Sequence, residues 1–240
     1  MIFFADRAEV RFDTRMDWQD DHRFLKTAFD TSIFTDYARF EVQFGNVKRP
    51  TARNTTVEQA KFEVLNHKYT DLSESRYGAA LLNDCKYGIS VEGGQMRLSL
   101  HKGGCRPDYK GDHGVHDCVY AFLPHQGAFD VNHVVKPAYQ LNYPPVLAGK
   151  AFIALPLALP EAENILVETI KPCEDEARAF IVRLYEAEGA FTNTPVRFFA
   201  GAKSAAICNM LEEPQEGLED LAKVSLCFHP FEIKTLRVTY

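Results

Sequence analysis

Asp108, Asp112, His113, His116 and Asp117 are the densest group of potential metal ligands in this 240-residue chain, within Asp-Tyr-Lys-Gly-Asp-His-Gly-Val-His-Asp. Their i, i+3 steps suit a helix, but Gly111 and Gly114 argue for a loop, and a metal needs three or four convergent ligands rather than neighbours in sequence. The stretch reads as a polar loop entering a strand at Cys118. Glycosidic acid–base chemistry needs two carboxyl groups ~5–5.5 Å apart in a cleft. Asp20 and Asp21 would point to opposite sides of an extended chain, and Glu174-Asp175-Glu176 follows Pro172 in a surface turn, so both sets read as solvated charge. Cys85 would gain thiolate character if Lys86 approached it, whereas a buried structural cysteine would be inert, and the second reading is preferred. Gly-x-Ser-x-Gly, a phosphate-cradling Gly-rich loop and a nucleotide fingerprint are all missing.

Leu81-Leu82-Asn83-Asp84-Cys85-Lys86-Tyr87-Gly88 carries a different signal. An apolar strand that ends abruptly in Asn, Asp, Lys and Tyr puts hydrogen-bonding groups at the end of a sandwich, where loops bind ligands. Sugar hydroxyls call for such donors and acceptors. A turn with an incidental ion pair accounts for the same residues, and residue chemistry alone leaves the two readings equal.

These side chains need a frame, and period-2 alternation supplies it. Ala8, Val10, Phe12, Thr14 and Met16 alternate with Glu9, Arg11, Asp13 and Arg15, as a half-buried strand does. Phe40, Val42 and Phe44 repeat the pattern, as do Met96, Leu98 and Leu100. Further strands are expected at 61–69, 79–83, 118–123, 151–157, 165–171, 179–186, 195–200, 223–228 and 232–239, with turns at Gly45-Asn46, Gly93-Gly94, Gly103-Gly104 and Tyr143-Pro144-Pro145. One helix is expected over 129–141, interrupted by Pro137. Many short strands with little helix between them specify an all-β sandwich fold. A seam near Pro160 divides a large first domain, 1–158, from a small terminal one, 159–240.

The formal charge of −6, without a block of Lys or Arg, argues against nucleic acid as a partner. Charge appears within the first seven residues, too early for a signal-peptide core, and no apolar run reaches the ~20 residues that span a bilayer. Six scattered cysteines without a CxxC pair read as reduced thiols, so a cytoplasmic location is expected, and the Asn54-Thr55-Thr56 glycosylation pattern is discounted.

Longer stretches carry a resemblance. Glu41-Val42-Gln43-Phe44-Gly45-Asn46-Val47-Lys48-Arg49-Pro50-Thr51 is the most specific, preceded by Arg11-Phe12-Asp13-Thr14-Arg15-Met16-Asp17-Trp18-Gln19 and followed by the Asn83–Gly88 segment. Val167-Glu168-Thr169-Ile170-Lys171-Pro172 and Pro230-Phe231-Glu232-Ile233-Lys234-Thr235-Leu236 continue it in order. Together they resemble the C-terminal region of family 38 glycoside hydrolases, the α-mannosidases. The resemblance implies a large galactose-mutarotase-like super-sandwich followed by a small terminal β-sandwich. It also implies a retaining, zinc-dependent exo-α-mannosidase whose metal ligands and nucleophile lie on an α/β barrel upstream, so that no cofactor or catalytic residue is expected in this chain and the chain alone is expected to be inactive.

The expected partners are that barrel, on the same or a separate chain, and a mannose-containing oligosaccharide, with a homo-oligomer also possible. Asp84, Lys86, Tyr87, Lys102 and Arg106 are the substrate-binding candidates, with Lys102 standing where relatives commonly have Arg. An ammonium there loses the forked contact a guanidinium makes to paired oxygens. Two other readings stay open: an autonomous carbohydrate-binding module, with Trp18, Tyr87, Tyr109, Tyr120 and Tyr143 as available platforms, and an assembly domain for a separately encoded barrel.

Overall fold

The computed structural model describes residues 1–146, 149 and 158–240. The chain forms two compact units, Met1–Pro145 and Val146–Tyr240. The expected seam at 158/159 borders residues outside the described set, and the strand expected at 151–157 lies wholly outside it.

The first unit contains β1 (Ile2–Phe3), β2 (Val10–Trp18), β3 (Phe24–Asp30), β4 (Tyr37–Val42), β5 (Gly45–Pro50), α1 (Thr56–Ala60), β6 (Val64–Leu65), β7 (Tyr69–Ser73), β8 (Tyr77–Asn83), β9 (Gly88–Glu92), β10 (Gln95–Lys102) and β11 (Gly114–Gln126). A π-helical turn, Val131–Val135, then runs into α2 (Lys136–Asn142). One sheet has the order β1-β2-β11-β8-β7-β4-β5, the other β3-β10-β9-β6. Phe40, Leu72, Leu81 and Tyr120 of the first meet Ile89, Met96, Leu98 and Leu100 of the second in one core. Phe29 of β3 clasps the two layers, stacking on Phe122 at 4.9 Å and meeting Phe12 edge-on at 5.7 Å.

Two local expectations are corrected. The strand expected over 61–69 is instead the C-cap of α1 at Lys61, the short β6 and the first residue of β7, because a capping box starts a helix upstream: Thr55 Oγ1 accepts from the Glu58 amide while the Glu58 carboxylate accepts from the Thr55 amide. Thr55→Ala removes that cap and should cost about 1 kcal/mol in urea denaturation. The turn expected at Gly45-Asn46 falls two residues earlier, at Gln43-Phe44, with Val42 paired to Gly45 and Phe44 taking the positive φ of 57°. Gly93 does serve as a turn residue, at φ +55° between the paired Glu92 and Gln95. The expected helix is present, and Pro137 is tolerated because it lies in the first turn of α2, where its missing N–H costs little.

The second unit contains β12 (Ala158–Pro160), β13 (Ile165–Pro172), β14 (Ala179–Glu186), β15 (Thr192–Phe198), β16 (Ser204–Cys208), β17 (Pro214–Leu218), β18 (Ser225–Phe228) and β19 (Ile233–Thr239). Sheets β12-β15-β18 and β13-β14-β19-β16-β17 close over Val182, Leu184, Val196, Leu226, Phe228 and Leu236. Both units are β-sandwiches, so the chain is all-β with two short helical segments among the described residues. None of those helices is long and apolar enough to cross a membrane.

Candidate functional site

The four-stranded sheet of the first unit brings distant residues to one of its ends. β10 pairs antiparallel with β9, so the loop before β9, which carries Lys86, lies beside the end of β10, which carries Lys102. β3 pairs on the other side of β10 with Phe24 opposite Lys102, and β6, just after Glu63, pairs with β9. These neighbours line an open cleft of about 310 Å³, walled by Phe24, Glu63, Lys86 and Lys102 and completed by Ser99, Leu100, His101 and Asp112.

A bulge between Ser99 and His101 shifts the register of β10 against β3. Bulges of this kind re-aim side chains. His101 is buried, its ring tilted against Trp18 at 4.9 Å and His116 at 4.2 Å, and it donates from Nε2 to the Asp112 carbonyl at 3.1 Å. Burial first, then the charges of His116 and Lys86, hold His101 below the usual histidine range despite that hydrogen bond. Glu63 is engaged by Lys26 at 2.6 Å and also accepts from the Ser99 hydroxyl. Among the described residues neither Lys86 nor Lys102 forms an ion pair. The incidental pair that a simple turn would offer Lys86 is therefore not made.

The five sequence candidates are divided by the structure. Lys86 and Lys102 share the cleft. Asp84 lines a separate depression with Asp13, Arg15 and Asp117, and its Oδ1 is buried without a hydrogen-bond partner. Tyr87 is exposed, its ring 4.9 Å from His67. Arg106 is exposed on the loop between β10 and β11, outside the cleft lining. The sequence does not single out Phe24, Glu63 or His101. The signal that could find them is strand pairing, which no single-strand pattern reports.

Asp108, Asp112 and His113 lie on a loop as expected, but the strand starts at Gly114 rather than at Cys118, so His116 and Asp117 belong to β11 and pair with Met16 and Arg15 of β2. His113 is tied to Asp21 at 2.8 Å, and His116 donates to the Asp112 carbonyl at 2.8 Å, so these imidazoles serve to fold the segment. Among the described residues no set of three or more His, Cys, Asp or Glu side chains is placed to hold a metal ion.

All six cysteines are free thiols. Cys85 is exposed, against the expectation of a buried residue, because it sits on the β8–β9 loop beyond the last core position of β8. Loss of water around its sulfur, with the hydrogen bond and charge of Asp84, pushes the thiol up to about 12, outweighing the opposing charge of Lys86. At pH 8 its alkylation by iodoacetamide should be at least about a hundredfold slower than that of a small free thiol, and Asp84→Asn should speed it. Peptide mass spectrometry over a labelling time course checks both.

Known proteins match the chain along most of its length. The model for the glycosyl hydrolases family 38 C-terminal domain matches residues 2–110, and that for the family 38 C-terminal beta sandwich domain matches residues 164–236. Human alpha-mannosidase 2C1 is 36% identical over 95% of the chain. The chain belongs to glycoside hydrolase family 38.

Within that family it corresponds to a C-terminal region. Alpha-mannosidase G of Dictyostelium discoideum is 39% identical over 99% of the chain. The family 38 chain spans 23% of the length of either relative. An alpha-mannosidase from Enterococcus faecalis V583 shares the fold, with a TM-score of 0.80 at 18% identity over 98% of this chain and 28% of that one.

Proposed function

We propose that this chain is the noncatalytic sandwich portion of a zinc-dependent, retaining exo-α-mannosidase acting on mannose-containing oligosaccharides. It packs on a catalytic α/β barrel, of the same or a separate polypeptide, and lends Lys86 and Lys102 to the rim of the substrate site. Zinc and the nucleophile belong to the barrel, and the assembled enzyme is cytoplasmic. The observation that carries this reading is the alignment of nearly the whole chain, at 36% and 39% identity, with about a quarter of each named alpha-mannosidase. The cleft supports the rim role, since Lys86 from the β8–β9 loop and Lys102 from the end of β10 line it together and neither forms an ion pair among the described residues. A donor to a sugar oxygen from a charged group contributes about 1.5–3 kcal/mol, which tunes affinity without performing chemistry.

The test is steady-state kinetics of the assembled enzyme on a mannose oligosaccharide, with Lys86→Ala and Lys102→Ala in this portion. Each should raise KM about tenfold with kcat within about twofold, the pattern of lost ground-state binding. An unchanged KM in both variants overturns the rim role.

A further inference from the structure

We infer that the Lys86–Lys102 cleft takes a phosphorylated sugar, with the phosphate between the two ammonium groups. This rests on the reading of the cleft as a sugar site and goes beyond it in naming the substituent. The charged groups facing the cleft decide the sign. Glu63 is neutralised by Lys26 at 2.6 Å and further occupied by Ser99, so that pair contributes no free charge. His101, held below its usual range, is neutral at pH 7 and spends its Nε2 proton on the Asp112 carbonyl. What remains is one carboxylate, Asp112, against two ammonium groups, Lys86 and Lys102.

A neutral pyranose needs alternating donors and acceptors along its edge, and Glu63 is already engaged by Lys26 and Ser99. An anion needs converging cations with spare donors, and Lys86 and Lys102 have them: each ammonium carries three donors, and neither is paired among the described residues. Lysine binds phosphate as a point charge, so it does not require the forked geometry of arginine. Phe24, 45% exposed on the same wall, offers an apolar face for the ring that bears the phosphate, and Asp112 offers an acceptor for one of its hydroxyls.

The experiment is calorimetric titration of the full chain with mannose 6-phosphate, inorganic phosphate and mannose at two salt concentrations. Mannose 6-phosphate should bind at least about tenfold tighter than mannose or inorganic phosphate, and weaken as salt rises. Lys86→Ala and Lys102→Ala should each weaken mannose 6-phosphate at least about tenfold more than they weaken mannose, removing the preference for the phosphate. Equal binding of mannose and mannose 6-phosphate, or insensitivity to both substitutions, overturns the inference. Inorganic phosphate binding as tightly as the sugar phosphate also overturns it, since the sugar would then add nothing. The rim reading stands or falls separately: a KM effect on a neutral oligosaccharide without preference for the phosphate leaves the rim and removes the phosphate, and the reverse pattern does the opposite.

Discussion

Glu186→Ala should destabilise the second unit by about 4 kcal/mol or more, among the largest effects of any single substitution in the chain. Glu186 ends β14 fully buried, and its two oxygens accept from the amides of Glu188 at 2.8 Å, Gly189 at 2.7 Å, Ala190 at 3.1 Å and Phe231 at 3.0 Å, and from Asn164 Nδ2 at 3.0 Å. The carboxylate thus closes the β14–β15 turn onto the turn before β19. Alanine strands four backbone donors, and each buried unsatisfied group costs about 1–3 kcal/mol. Water entering the vacated space offsets part of that sum. Glu186→Gln keeps the shape but points an amide NH₂ at other donors, so it should cost about 2–3 kcal/mol. Hydrogen exchange at residues 188–190 and urea denaturation followed by circular dichroism report the two costs. Wild-type protection of those amides in Glu186→Ala would contradict the assignment.

Asp71→Ala should cost the first unit about 3–5 kcal/mol, because it leaves His125 buried without its counter-charge. His125 Nε2 lies 2.8 Å from Asp71 Oδ1, both side chains are almost fully buried, and Ser73 Oγ donates to the other carboxylate oxygen at 2.5 Å. Gly78 has no side chain because a Cβ there would stand 2.5 Å from His125 Cε1. Burial opposes protonation of His125, but the hydrogen bond and charge of Asp71 outweigh it and the net shift is upward. A histidine whose folded pKa is raised contributes stability that is fully present below the unfolded value of about 6.5 and is lost as pH rises through the folded value. The stability difference between wild type and His125→Gln should therefore be larger at pH 6 than at pH 8. Urea denaturation followed by Trp18 fluorescence measures it, and an equal or reversed difference would contradict the ion pair.

Strands exposed to water on one side are legible in the sequence. Phe12, Thr14 and Met16 announce β2 because Asp13, Arg15 and Asp17 face solvent between them. β7 and β9 are not legible. Tyr69–Ser73 is buried at almost every position, and Ile89-Ser90-Val91 is three buried residues in a row, so neither shows the alternation that marks a half-exposed strand. β5 is hidden for the opposite reason, since Lys48 and Arg49 make an edge strand look like loop.

The site divides in the same way. Lys86 and Lys102 stand out as charges at the ends of apolar strands, which is a local signal. Their meeting with Phe24 and Glu63 depends on the order β3-β10-β9-β6, and that order is a property of pairing between segments up to 78 residues apart, Phe24 opposite Lys102. Asp84 and Tyr87 lie within two residues of Lys86 in sequence but leave the cleft, because the chain bends at Asp84 and Cys85 after β8 and sends neighbouring side chains in different directions.

The most direct measurement is the hydrolysis of an aryl α-mannoside by the purified chain, with and without added zinc and with a chelator as control. The expected result is no release of the aryl group above the blank under any of these conditions, because under the proposed function the catalytic carboxylates and the metal belong to a barrel outside this chain. Zinc-dependent release that the chelator abolishes would contradict it, and would place a complete mannosidase centre within these 240 residues.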